Sequence, residues 1–289
     1  MTPVRRRFHV PRPIRYALVV GALLVVAAGL LLPAINRVRE AAARCVCTCH
    51  LKCLSLALHN SAASAGGERF PPGTVQLRDV PPERRLSWMV TVLPYIEQNR
   101  ALERFDLTAA ADDERNQVAL DHRIPAFVCP SSGEYVREDR VGKWKSPAPL
   151  THYVGVSGAG ADAATLPVGH PRAGVFGYDR QMSWRDDFPD GTGNTLLLME
   201  TANAPGHWAV GGPATVRGIE AATHPYVGRG RPFGGFHPPE PWIFEREREQ
   251  DCNVAMADAS IRFIRATIAP EVLEALATAG GREALPDGW

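Results

Sequence analysis

From Tyr16 to Ile35 the chain reads YALVVGALLVVAAGLLLPAI, twenty residues without a charge. A helix of that length rises about 30 Å, which matches the hydrocarbon core of a bilayer. Polar residues then return in a helical rhythm. Between Ala34 and Ala62 there is neither Pro nor Gly, and good helix formers dominate. At 100° per residue, Ile35, Val38, Ala42, Cys45, Val46, Cys49, Cys53, Leu56 and Ala57 fall on one stripe, with Cys47, Leu54 and Leu58 to one side. The pattern predicts a single long helix whose first half crosses a membrane and whose second half packs through this stripe on a globular head.

Beyond Ala62 the apolar runs shorten and turn signals recur: Pro71-Pro72-Gly73, Pro81-Pro82, Pro130-Ser131-Ser132-Gly133, Asp190-Gly191, Gly211-Gly212-Pro213 and Gly234-Gly235. Short runs between such signals predict an antiparallel sheet with long loops. Thr195 to Met199 reads as a strand. Asn253–Ala257 and Ser260–Ile264 read as a hairpin around Asp258-Ala259, where Ala stands in a turn that favours Gly. Trp88 to Arg104 is predicted helical on either side of Pro94, and Ala269 to Ala279 forms a last helix stopped by Gly280-Gly281.

Charge adds an orientation. The chain has 32 Lys+Arg and 31 Asp+Glu, but five arginines, at positions 5, 6, 7, 12 and 15, precede the apolar run with no acidic residue among them. The positive-inside bias therefore predicts a single pass through the cell (inner) membrane, N-terminus cytoplasmic and the bulk of the chain extracytoplasmic. A cleaved signal peptide shares the basic start and apolar stretch. Its first small-x-small site, Ala41-Ala42-Ala43, lies past Arg37, Arg39 and Glu40, which favours a retained anchor. The expected organisation is a basic segment 1–15, a membrane helix 16–35, an amphipathic stem 36–62 and a β-rich head 63–289. Without the first fifteen residues, 27 Lys+Arg face 31 Asp+Glu. That mild acidity argues against nucleic acid as a partner and leaves the lipid bilayer, through 16–35, as the one partner that composition implies.

Candidate chemistry is sparse. Cys45, Cys47, Cys49 and Cys53 lie on the stem, with Cys129 and Cys252 far along the chain. Outside the cytoplasm such thiols face an oxidising compartment. Cys45, Cys49 and Cys53 recur at i, i+4 and i+8 on the expected core stripe, where one could meet Cys252; small buried hydrophobes are the other reading. C-x-C-x-C-H-x-x-C has zinc-type donors, but one helix converges only three of its thiols, and Cys47-Thr48-Cys49-His50 lacks the second spacer of a haem site. No cofactor or metal is expected. Asp190-Gly191-Thr192-Gly193-Asn194, completed by Glu200, has calcium-type oxygen donors without the length of a calcium loop; an Asx turn is the alternative. Gly158-Ala159-Gly160-Ala161-Asp162-Ala163 matches a dinucleotide glycine pattern, but Pro167, Gly169 and Pro171 stand where its helix should begin. His59, His152, His207, His224 and His237 are scattered, and no nucleophile, base and orienting group share a motif, so no enzymatic activity is expected.

A membrane helix continuing into a stem beneath a β-rich head is the architecture of pilins and pseudopilins. The segments LLPAINRVREAAAR, LKCLSLALHN, FPPG, SWMVTVLPYIEQ, FVCPS, YVGVSG, GVF, PDGTGNTLLLME, GGFHP and NVAMADASIRFI resemble, in order, the landmarks of the bacterial domain of unknown function 1559 (DUF1559) family. The resemblance covers about Leu30 to Gly281. It implies an α+β, pilin-like fold with the long N-terminal helix packed on an antiparallel sheet. It also implies a structural or interaction role, with pilin-like or secretion-system proteins as partners. A membrane-tethered solute- or glycan-binding module is the alternative. The resemblance maps recurrent family cysteines onto Cys47 and Cys129 and so implies a Cys47–Cys129 disulfide. Two departures limit what carries over. The prepilin Gly, Phe and Glu align with Pro11, Arg12 and Tyr16, removing the processing signal. The His-x9-Asp-Gly motif of the family is degenerate: His237 and Asp258 are separated by twenty residues, including the charged run Glu245 to Glu249, and Ala259 replaces the Gly.

Overall fold

The computed structural model describes residues 12–64, 66–132, 149–203, 205–228, 230–236 and 251–286. His237 and the charged run at 245–249 lie outside the described residues. The chain divides into two compact units, Met1–Ala42 and Ala43–Trp289.

The first unit consists of the beginning of α1, a helix that runs over Arg12–Ser64 and continues through Pro33. Pro33 removes one backbone donor, and the helix absorbs the loss. The apolar side chains from Tyr16 to Ile35 face outward on all sides, with Val25 72% exposed. This helix is long and apolar enough to cross a membrane.

The second unit is an α+β head that begins with the rest of α1. Its main sheet has five strands: β2 (Tyr153–Ala159), β3 (Leu196–Glu200), β5 (Val216–Ile219), β6 (Cys252–Met256) and β7 (Ile261–Ile264), in the order β5-β2-β3-β6-β7. β1 (Leu150–Thr151) and β4 (Gly206–His207) form a separate two-stranded pair. The expected antiparallel sheet is corrected at one edge, because β5 runs parallel to β2 while the other pairs are antiparallel. A parallel neighbour needs a long crossover. The loops between Ala159 and Val216 supply it, with β3 inserted on the other side of β2.

Side chains alternate across the sheet, as a two-residue period demands. Val154, Val156, Val254 and Met256 pack with Leu273 and Leu276 of α5 (Pro270–Ala277) on one face. Tyr153, Leu198, Ala255 and Ala257 pack with Leu51, Leu54 and Leu58 of α1 in the other core cluster. The head is thus stem helix, sheet and short helix in three layers. β2 accommodates Gly155 because the Phe176 ring lies over it; a Cβ there would come within 2.5 Å of that ring.

The buried face of the stem differs from the expected stripe. Cys47, Leu51, Leu54, Ser55, Leu58 and Ala62 are buried, as is Ala57 of the expected stripe, whereas its Cys45, Val46, Cys49, Cys53 and Leu56 are exposed. At 100° per residue the two sets lie about 180° apart. The stripe was anchored on Ile35, Val38 and Ala42, which belong to the other unit, and it weighed Cys and Ala equally with Leu. A buried Leu contributes roughly 1.5–3 kcal/mol, several times the worth of a small residue, so the three leucines decide which face turns inward.

Trp88–Arg104 forms three short pieces rather than two helical arms: α2 (Trp88–Thr91), a 3-10 turn at Leu93–Ile96 and α3 (Asn99–Leu102). Pro94 sits in that turn, and Glu97 ends it in the left-handed region at φ 62°. A further short helix, α4, spans Glu114–Leu120. The hairpin β6–β7 forms as expected, with Asp258 Oδ1 accepting from the Ser260 N–H at 2.8 Å. Ala259 adopts φ 62° there, and its carbonyl accepts from Lys52 Nζ at 2.7 Å. An alanine in this region costs about 1 kcal/mol relative to glycine. Ala259→Gly is therefore expected to raise Tm by about 2–4 °C, read by thermal denaturation; a lowered Tm would mean that the turn is not strained.

Candidate functional site

Several ionisable side chains meet where the stem lies on the sheet. Cys47 stands on the inward face of α1, and Cys129 follows a 3-10 turn at Pro125–Phe127. Both thiols are buried, with their Sγ atoms 2.9 Å apart. Tyr153 and Glu200 are cross-strand partners on β2 and β3, and Tyr153 Oη lies 3.4 Å from Nδ1 of His50, one turn beyond Cys47. On β6, Asn253 donates its backbone N–H to Glu200 at 2.8 Å and its side-chain amide to both carboxylate oxygens at 3.0 Å. His152 accepts the Cys129 N–H at Nδ1, 3.0 Å away, and meets the Phe236 ring edge-on. An accepting Nδ1 fixes the neutral tautomer with its proton on Nε2.

The surroundings hold these groups in their uncharged forms. The Cys47 thiol is pushed far above the ordinary thiol range by its hydrogen bond with Cys129, then by burial, with further contributions from Cys129 and Glu200. Burial raises Tyr153 and Cys252 well above their usual values, with Glu200 adding to both. Burial also lowers His50 and takes His152 down to about 4. Nucleophilic cysteines have depressed pKa values and partial exposure, so these thiols have the character of structural groups. The carboxylate of Glu200, 2% exposed, is turned into the cluster, and the three Asn253 hydrogen bonds help offset its desolvation.

The other candidate residues lie apart. Asp190 Oδ1 accepts from the Arg282 N–H, and its carbonyl accepts from Asn194. Glu200 is at the far end of β3 in the cluster just described, so the calcium arrangement is not assembled. Cys252 is fully buried with its thiol 3.5 Å from the Glu200 carbonyl, while Cys45, Cys49 and Cys53 face outward, so the alternative pairing with Cys252 fails on geometry. The Gly158–Ala163 segment ends in a 3-10 turn, and Asp162 pairs with Arg172 at 2.6 Å. His59 meets Phe70 edge-to-face, His207 bonds the Leu120 carbonyl, and His224 meets Tyr226 edge-to-face. Among the described residues no group of three or more His, Cys, Asp or Glu could hold a metal ion. Sequence reasoning left His152, Tyr153 and Asn253 without a role. The available signal was a Glu closing the fully apolar strand LLLME, which demands buried donors on a neighbouring strand.

His152 makes stability depend on pH. Its pKa falls from 6.5 to about 4 on folding, so the unfolded chain takes up the proton first as pH drops. Stability is complete above about pH 6.5 and declines by about 3 kcal/mol as pH falls to about 4. Thermal melts across this window are expected to show a falling Tm, with a shallower slope in His152→Gln; equal slopes would remove His152 as the cause.

The chain matches the family described as "Protein of unknown function (DUF1559)" over residues 36–271. No curated protein and no solved structure matches the chain. With most of the chain covered, and a long apolar helix leading into an α+β, pilin-like head, the protein belongs to the DUF1559 family.

Proposed function

We propose that this protein is a single-pass, membrane-anchored component whose pilin-like head stands outside the cytoplasm and works by structure or interaction rather than catalysis. The observation that carries the proposal is the outward-facing apolar run of α1, from Tyr16 to Ile35. Its Leu, Val and Ile residues favour insertion by about 5 kcal/mol in total. The arginines before Tyr16 set the orientation, and the first small-x-small site, Ala41-Ala42-Ala43, lying past Arg37, Arg39 and Glu40, favours an anchor that is retained. A link to type II secretion or a pilus-like assembly rests on the family resemblance.

Within this proposal Cys47 and Cys129 are joined by a disulfide in the extracytoplasmic compartment. Their 2.9 Å separation supports the pairing, and their burial means that oxidation occurs before the cluster closes, while the thiols are still accessible to a disulfide donor. The two thiols lose two protons and two electrons, and the donor disulfide is reduced. Closing the 82-residue separation would stabilise the head by about 4 kcal/mol on chain-entropy grounds.

Two measurements test these readings. Membranes washed with alkaline carbonate should retain the protein, and external protease should digest the head in spheroplasts; a soluble protein, or a mature N-terminus near Ala41-Ala42-Ala43, would overturn the anchor. Intact mass measured without reduction should fall two daltons below the all-thiol mass for the Cys47–Cys129 pair, located by peptide mapping. Cys129→Ser should then lower Tm in non-reducing buffer and lose that mass difference; an all-thiol mass for protein taken from the membrane rejects the disulfide.

A further inference from the structure

Away from the stem, an arginine is buried without a counter-ion. Arg180 is 6% exposed. Its Nη1 donates to the carbonyls of Ala163 at 3.1 Å and Leu166 at 2.5 Å, and its Nη2 donates to those of Ser157 at 2.9 Å and Phe176. The fifth donor, Nε–H, is buried without a hydrogen-bond partner. Burial lowers the pKa only to about 10, so the group keeps its charge at neutral pH. A buried charge costs several kcal/mol unless it is paired, and four carbonyl dipoles supply only part of that compensation.

The neighbourhood is shaped around this ion. Gly177 lies beneath it: a Cβ there would stand 2.7 Å from Arg180 Cβ and 2.9 Å from Cζ, so the bare backbone is what lets the guanidinium settle. Ser157, whose carbonyl Arg180 holds, carries a fully buried hydroxyl that also lacks a partner. Orphaned buried polar groups such as these are unusual in a native fold.

Arg180 also lines a cleft of about 660 Å³, within the size range of small-molecule sites. Two more arginines line it. Arg85, 12% exposed at its side chain, pairs with Asp179 at 2.6 Å, and its Nη2 carries no hydrogen bond. Arg69 is half exposed, lies 3.7 Å from Asp187 and donates to the Gln181 carbonyl. Asp179 is the only carboxylate in the lining. Tyr178 stays protonated, its pKa raised by burial and by Glu83, and presents a phenol; Leu166, Pro167 and Val168 supply an apolar wall.

We propose that this cleft binds a small organic anion through its carboxylate, hydrogen-bonded by Arg85 and drawn in by the buried charge of Arg180, with its carbon skeleton against Tyr178 and the Leu166–Val168 wall. A planar monoanion suits the Nη2 edge that Arg85 leaves free, whereas a phosphate would need more free donors than the cleft offers. The site is independent of how the chain is anchored.

The test uses the full chain in detergent micelles, titrated calorimetrically with succinate, galacturonate, neutral methyl galactoside, sulfate and phosphate. Saturable heat is expected from at least one of the two carboxylates and none from methyl galactoside. Arg85→Gln should weaken that affinity about tenfold or more, the loss of a hydrogen bond to a charged group. Because Arg85 is largely buried, Arg69→Gln at the exposed rim serves as the second variant, with an expected loss of a few-fold from the charge alone. Absence of saturable heat from both carboxylates, heat from sulfate or phosphate alone, or wild-type affinity in both folded variants would overturn the proposal.

Discussion

The face of α1 that carries Cys47, Leu51, Leu54, Ser55, Leu58 and Ala62 is the surface on which the head is assembled. A five-stranded sheet has two apolar faces, and α5, with eight residues, can cover only one of them. The other face closes only when the stem lies across it. Its leucines meet Leu198 and Ala255, and the small Ala255 and Ala257 let a helix backbone come near the strands. Ser55 is accommodated because its hydroxyl bonds the Leu51 carbonyl one turn back.

This packing explains why a polar cluster can exist at the junction. Tyr153, Glu200 and Asn253 occupy successive strands at one level of the sheet, on the side that the stem covers. Water excluded by the helix cannot solvate them, so they must solvate one another, and Glu200 takes all three hydrogen bonds that Asn253 offers it. The same exclusion keeps His152 neutral and helps keep the Cys47 thiol protonated. Burial by one helix is therefore the common cause of the head's cohesion and of the unusual titration of its interior.

What the sequence made legible follows the range of the interactions involved. The long helix, the β6–β7 hairpin, α5 and the strain at Ala259 all express local periodicity or turn chemistry, and local chemistry is written in consecutive residues. β2 was less visible because Gly155 and Gly158 dilute its strand pattern; the Phe176 ring that fills the space over Gly155 comes from twenty-one residues further on. The parallel β2–β5 pairing depends on a crossover whose outcome no short window contains. The rotation of the stem was misread because a helical wheel measures periodicity, whereas burial is weighted by volume. Cys47 and Cys129 were marked by family resemblance alone, and their company of His50, His152, Tyr153 and Glu200 became apparent only through strand register. The Arg180 cleft had no signature at all, since its defining feature is the absence of a carboxylate partner.

The rotation of the stem also sorts the cysteines into two populations. Cys47, Cys129 and Cys252 are enclosed, whereas Cys45, Cys49 and Cys53 form a ladder on the outside of the same helix, spaced by about one turn, or 6 Å, per step. A bulky thiol reagent and a denaturant thus give two separate readouts from one chain. The ladder reports whatever approaches the outer surface of the stem, rung by rung. The enclosed set answers only when helix and sheet come apart, so the fold carries its own internal gauge of whether it is intact.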